Sequence, residues 1–188
     1  MLAQILGLLL GTAADLLAVA FLARVMMQWA RASFRNPVGQ FIAAVTNWAV
    51  LPLRRIIPGL FGADLASVFA AWLVQIAYFG IMVGLTGLAL ISAGTILSVA
   101  WLAALAVLRM AIYLLMGIII VMALLSWINP YSPLAPLFDT LSRPLLGPVR
   151  KRLPPLGGVD LSPLVIIVLL QVLLVILANL QTTAFLAP

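Results

Sequence analysis

The side chains able to do chemistry are few. The 188 residues hold four carboxylates (Asp15, Asp64, Asp139 and Asp160), ten Lys+Arg, and no His or Cys. Without imidazole or thiol there is no Ser-His or Cys-His pair, no disulfide framework, and no Cys or His ligand for zinc or haem. The four carboxylates fall on separate segments, so paired-acid chemistry is not expected either. The chain therefore reads as a non-enzyme, with no catalytic, cofactor-binding or metal-binding residue. What its polar groups can do is pair ions, cap helices and meet charged surfaces.

Their spacing repeats. Arg54-Arg55 lies between Pro52 and Pro58 and is followed by Asp64; Arg150-Lys151 lies between Pro148 and Pro154 and is followed by Asp160. Each aspartate stands just before an apolar run. There a carboxylate caps orphan N–H groups and suits the positive helix end, with a local ion pair to Arg54 or Arg150 expected. The two dibasic sites suit anionic lipid headgroups or a docking partner. Gln75 and Gln171 each lie eleven residues beyond the aspartate. That is about 16 Å along a helix rising ~1.5 Å per residue, so the two amides are expected to face each other or a shared centre. Asp15 and Arg109 are the charges inside apolar runs, where charges usually pair or face a cavity. They are expected to pair or share a polar cluster; the alternative is snorkelling of Arg109 to the interface.

The elements that must position these groups are set by composition. Hydrophobic residues make up 66% and charged residues 7%, the net charge is +6 and mean hydropathy is +1.30. Soluble domains run to about 45–50% apolar and about 25% charged, so this chain is read as an integral membrane protein. Leu2 to Ala23, Leu65 to Ile91, 105–128 and Leu161 to Leu180 are the candidate spans. Residues 96–104 are an interfacial or helix-extending piece. Gly7/Gly11 and Gly80/Gly84 permit close helix approach.

Nine of the ten bases lie in the polar segments 24–64 and 129–160. Four spans put both segments on one side, which the positive-inside rule makes cytoplasmic, with both termini outward. Val38 to Val50 suggests a shallow or re-entrant helix. Pro52, Pro58, Pro148, Pro154 and Pro155 are expected to interrupt helix through the loops, leaving amphipathic, arginine-bearing pieces in the interface plane.

The two halves match at an offset of 96 without a gap from 37 to 75: Pro37 with Pro133, Arg54 with Arg150, Asp64 with Asp160, Gln75 with Gln171. Seven of the fourteen positions from 52 to 65 are identical. Two spans per half keep the halves the same way up, related by a pseudo-two-fold along the membrane normal. The expected fold is an all-α membrane protein with four transmembrane helices in two parallel tandem repeats, and amphipathic or re-entrant interfacial helices in the two basic loops. Residues 1–91 form the first repeat, 92–104 a connector or interfacial helix, and 105–188 the second.

These residues resemble one known family. Trp29, Asn36-Pro37, Pro52-Leu53-Arg54-Arg55-Ile56-Ile57-Pro58 and Gly62-Ala63-Asp64-Leu65 look like one YggT domain. Ser126-Trp127-Ile128, Arg143-Pro144-Leu145-Leu146-Gly147-Pro148-Val149-Arg150 and Leu153 to Pro163 look like a second, closer to the pattern. The first copy departs from it with Trp48 where the second has Pro144, and with Ala66-Ser67 where the second has Ser162-Pro163. The second has Met122 five residues before its tryptophan, where the first has Arg24.

The resemblance implies a small multi-pass protein of a bacterial inner membrane, with family associations to osmotic or ion stress and to cell-division genes. A plastid branch is similar to factors assisting haem attachment to a b-type cytochrome. The expected function is a scaffold or assembly factor whose basic loops contact anionic headgroups or an unknown membrane or cytoplasmic protein, with no nucleic acid and with homo-oligomers open. The alternative is a channel or transporter subunit, or a regulator of ion or osmolyte flux, using a polar centre at Gln75 and Gln171.

Overall fold

The computed structural model describes residues 2–57, 64–85, 92–153 and 160–186; Pro58, Pro154 and Pro155 lie outside them. The described residues form six helices: α1 (Leu2–Trp29), α2 (Pro37–Leu53), α3 (Leu65–Leu85), α4 (Ala93–Ile128), α5 (Ala135–Arg150) and α6 (Ser162–Leu186). Helices α1, α3, α4 and α6 are long and apolar enough to cross a membrane. Helices α2 and α5, of 17 and 16 residues, are the elements of the two basic loops.

Each repeat is a pair of long helices with a short one packed across both. In the first, α1 lies against α3 and α2 touches both; in the second, α4 lies against α6 and α5 touches both. Small residues make the first pair close: Ala14 and Ala18 on α1 and Ala66, Ala70 and Ala71 on α3 are buried. Gly7 and Gly11 belong to this seam. A methyl on Gly11 would stand 3.1 Å from the Tyr78 hydroxyl, whereas Gly80 and Gly84 have nothing within 4 Å.

The short helices are amphipathic at a helical period. Gly39, Ile42, Thr46 and Val50 make the buried stripe of α2; Leu137, Leu141, Ser142 and Leu146 make that of α5. One apolar cluster joins Met27, Ile42, Ile118, Leu137 and Leu141, from α1, α2, α4 and α5. Both short helices therefore sit at the same end of the bundle.

Two boundaries differ from the sequence reading, and a third is decided between its two alternatives. Helix α1 runs on to Trp29 rather than ending at Ala23, so Arg24 belongs to a spanning helix and not to the loop. Residues 96–104 are helix-extending, not a separate interfacial piece: they are continuous with α4, Ser92 caps it at Thr95 N, and nothing in 96–104 breaks the backbone ladder. Pro52 and Pro148 do not interrupt the loop helices. They lie in the last turns of α2 and α5, and Pro144 lies further inside α5. Each proline removes one N–H from the ladder, but the fully buried Val50 and Leu146 anchor those same turns.

The repeats meet through α4, which packs on α1 and α3 and receives a hydrogen bond from Trp72 Nε1 at the Ala100 carbonyl, 3.0 Å. A closed two-fold would give α6 a matching contact with α1. Helix α6 has its extensive contacts with α4 and α5 alone, so the modules stand side by side and α6 is the bundle's outer helix.

Two unequal arginine–aspartate clamps as the candidate site

The ten-residue spacing from arginine to aspartate closes a clamp in each repeat. Arg54 at the end of α2 grips Asp64 at the start of α3, with Nη2 to Oδ2 at 2.6 Å and Nε to Oδ1 at 3.2 Å. Arg150 at the end of α5 donates to Asp160 Oδ2 from Nε at 2.7 Å. Each clamp fastens the interfacial helix to the span that follows it. The second member of each dibasic pair plays no part: Arg55 and Lys151 are exposed and carry no ion pair among the described residues.

Around Asp64 the first clamp is closed. Arg24 Nε lies 3.5 Å from Oδ2, the Ser67 hydroxyl donates at 2.6 Å, and the Gln28 amide donates at 3.3 Å. Arg24 is itself buried, and its Nη1 donates to Thr46 Oγ1 and Asn47 Oδ1, both at 2.7 Å. Burial opposes ionisation of Asp64, but hydrogen bonds from Arg54 and Ser67 and the two guanidinium charges outweigh it. Its carboxyl titrates below the usual carboxylate range.

The second clamp is open. The Asp160 side chain is 38% exposed against 2% for Asp64. Its Oδ1 accepts the backbone N–H of Ser162 at 2.9 Å, a capping contact at the start of α6. Among the described residues Asp64 makes no such side-chain bond to backbone; its carboxylate is engaged by side chains, and its carbonyl accepts the first helical bonds. Asp160 is likewise held below the usual range: burial opposes this, while the Ser162 N–H and Arg150 favour the anion. Arg150 also approaches Asp139 Oδ1 at 3.8 Å, and Asp139 pairs with Arg143 at 2.8 Å one turn on.

The intramembrane residues pair differently from expectation. Asp15 accepts from the Gln75 amide, Nε2 to Oδ1 at 2.9 Å, and Gln75 is buried. No ion pair joins Asp15 to Arg109, whose Nε is buried without a hydrogen-bond partner. Position along a helix gives depth, not azimuth: Asp15 faces α3, whereas Arg109 stands on α4. Gln75 and Gln171 do not share a centre. Gln171 is exposed beside Trp127 and Asp160 on α6, which stands beyond α4 from α3.

Several residues escaped the sequence reading: Gln28, Thr46, Asn47 and Ser67 in the first clamp and Asp139 in the second. A signal existed for two of these contacts. Arg24 and Gln28 are four apart on α1, as Asp139 and Arg143 are on α5, so each pair shares a helix face.

A family profile, CCB3/YggT, matches residues 3–85 and again residues 101–181. The chain belongs to the CCB3/YggT family. The two matches fall on the two clamp-bearing repeats. "Uncharacterized protein YggT" of Escherichia coli (strain K12) is 36% identical over 170 residues, 89% of this chain and 86% of that protein. "Uncharacterized protein in proC 3'region" of Vibrio alginolyticus is 34% identical over 167 residues, covering 88% and 89%. An "Uncharacterized protein" of Haemophilus influenzae is 30% identical over 169 residues, covering 87% and 86%. No solved structure matches the chain.

Proposed function

We propose that this YggT-family chain is a non-enzymatic scaffold or assembly factor of a bacterial inner membrane. In this reading α2 and α5 lie at the cytoplasmic interface and both termini face outward. One observation carries it: within each dibasic pair, one cation is spent on the clamp and its neighbour is left free at the same end of the bundle. Arg54 and Arg150 hold the short helices rigidly to the spans. Arg55 and Lys151 then present fixed, exposed charge to anionic headgroups or to a protein partner. Fastening a short helix in this way spares a docking surface the entropy of ordering on contact.

The flux reading required a polar centre between the repeats. Gln75 donates its amide to Asp15, and Gln171 lies on another side of α4, which favours the scaffold reading. The test is photo-crosslinking in cells from probes placed at the exposed neighbours Ile56 and Arg152, in the parent chain and in the double substitution Arg55→Gln, Lys151→Gln. The scaffold reading expects one captured species and, in the double variant, correct membrane orientation with capture lost. Inverted orientation of the double variant in reporter fusions, with no capture in the parent, would reduce the two cations to topology determinants. Ion or osmolyte flux through reconstituted protein would restore the transport reading.

A further inference from the structure

The two clamps differ by one cation. In the first copy the Arg24 guanidinium, five residues before Trp29, lies against Asp64. Five residues before Trp127 the second copy has Met122, and Ser126 stands where Gln28 would be. Two cavities adjoin there, of about 430 and about 510 Å3, and both are lined by Met122, Ser126 and Arg150. The first also reaches Asp160 and runs along Leu164 and Val168 of α6 past Trp127. The other reaches Asp139 and Tyr131.

We propose that this cleft binds a phospholipid whose head carries both a phosphate and a primary ammonium, the ammonium taking beside Asp160 the place that the Arg24 guanidinium holds beside Asp64. The charges select this chemistry. Arg150 lies between two half-exposed carboxylates, Asp160 at 2.7 Å and Asp139 at 3.8 Å, and Arg143 is already paired with Asp139. A simple anion would meet as much negative as positive charge. A zwitterionic head offers its phosphate to Arg150 and its ammonium to Asp160, so each bond is charge-assisted. The wall continues from these polar groups onto apolar α6 side chains, as an acyl chain requires, and the cavity has the size of a small-molecule site.

This proposal deepens the functional reading at one of its residues, Arg150, and its test is separate from partner capture. The full chain is reconstituted in nanodiscs containing phosphatidylglycerol with either phosphatidylethanolamine or phosphatidylcholine, and retained lipid is counted by native mass spectrometry. The ethanolamine lipid is expected to be retained about tenfold over the choline lipid, whose trimethylated nitrogen has no N–H to donate. Met122→Arg supplies the missing cation from within the chain. It should abolish the preference while raising the melting temperature. Asp160→Asn should abolish the preference without raising it. Equal retention of the two zwitterionic lipids by the parent chain would overturn the proposal, and so would a preference for phosphatidylglycerol over both or a preference that survives Met122→Arg. Absence of lipid selectivity with crosslinks from Ile56 intact would sink this inference and leave the scaffold reading standing.

Discussion

Asp64 and Asp160 occupy equivalent positions in sequence, yet four side chains close on the first and one on the second. The difference lies in what surrounds the shared arginine. In the first copy Arg24, Gln28 and Ser67 complete the shell, and Thr46 and Asn47 in turn hold Arg24. In the second, Met122, Ser126 and Pro163 stand at the corresponding positions and the carboxylate opens on a cleft. Duplication thus gives one clamp that acts as structure and one whose same two charges remain accessible. A buried charge network is costly to break and offers nothing to a ligand; an exposed pair is worth little to stability and can exchange partners.

The largest expected effect tests that division. Asp64→Ala strands Arg24 and Arg54, and loss of one partner from a buried pair costs roughly 3–5 kcal/mol. Asp160→Ala removes a half-exposed pair and one capping bond, a cost of about 1 kcal/mol. Thermal unfolding of purified protein in detergent should show a large drop for the first variant and a small one for the second. Equal drops would erase the distinction between a closed and an open clamp.

Acid sharpens the same contrast. Both carboxyls have folded-state values below their unfolded ones. Their contribution is fully present above the unfolded carboxylate value, near pH ~4, and is lost as pH falls through the folded values. The chain has no His. The melting temperature should therefore be flat from about pH 5 to 8 and fall below about pH 4. Asp160→Asn should keep most of that fall and Asp64→Asn should remove most of it. A midpoint shift between pH 6 and 8 would contradict this assignment.

Much of this was legible in the chain, and the failures have a common cause. Four spans follow from hydropathy, and the Arg54/Asp64 and Arg150/Asp160 pairings follow from motifs that occur twice at one spacing. The end of α1 was misread because Arg24 looks like the edge of an apolar run. Its charge is tolerated on a spanning helix because Asp64 and two side chains of α2 meet it there. Helices α2 and α5 continue through Pro52 and Pro148 because their buried stripes anchor those turns. The Asp15 partner was missed because residue counting along a helix gives depth while rotation about the axis decides the neighbour. Asp15 turns toward α3, so it finds Gln75 and not Arg109.

That pairing gives the next contrast. Gln75→Leu leaves the Asp15 carboxylate without its amide, and interhelical bonds of this kind are worth about 0.6–2 kcal/mol in membranes. Gln171→Leu replaces an exposed amide with no hydrogen-bond partner among the described residues and should leave the melting temperature unchanged. If the second substitution destabilises as much as the first, the two amides share a role that the side-by-side arrangement of the repeats does not provide.

The smallest effect concerns how the two long helices enter their loops. Helix α1 ends with Arg31 at φ 53°, its N–H donating to Gln28 O at 3.0 Å and that of Ala32 to Met27 O at 2.7 Å. This is the double-bonded C-terminal motif that normally places glycine in the left-handed position. Helix α4 ends instead at Asn129 with φ −149° and needs no such residue. Arg31 is exposed and carries no ion pair among the described residues, so its side chain offsets none of the left-handed strain of about 1–2 kcal/mol. Arg31→Gly should relieve that strain at some cost in unfolded-chain entropy, a net gain of about 0.5–1 kcal/mol. Arg31→Ala should gain nothing, because alanine meets the same clash between Cβ and carbonyl. A rise in melting temperature with glycine alone would place the effect in the backbone. Equal rises with both would place it in the removed charge, and the two loop entries would then differ in electrostatics and not in backbone geometry.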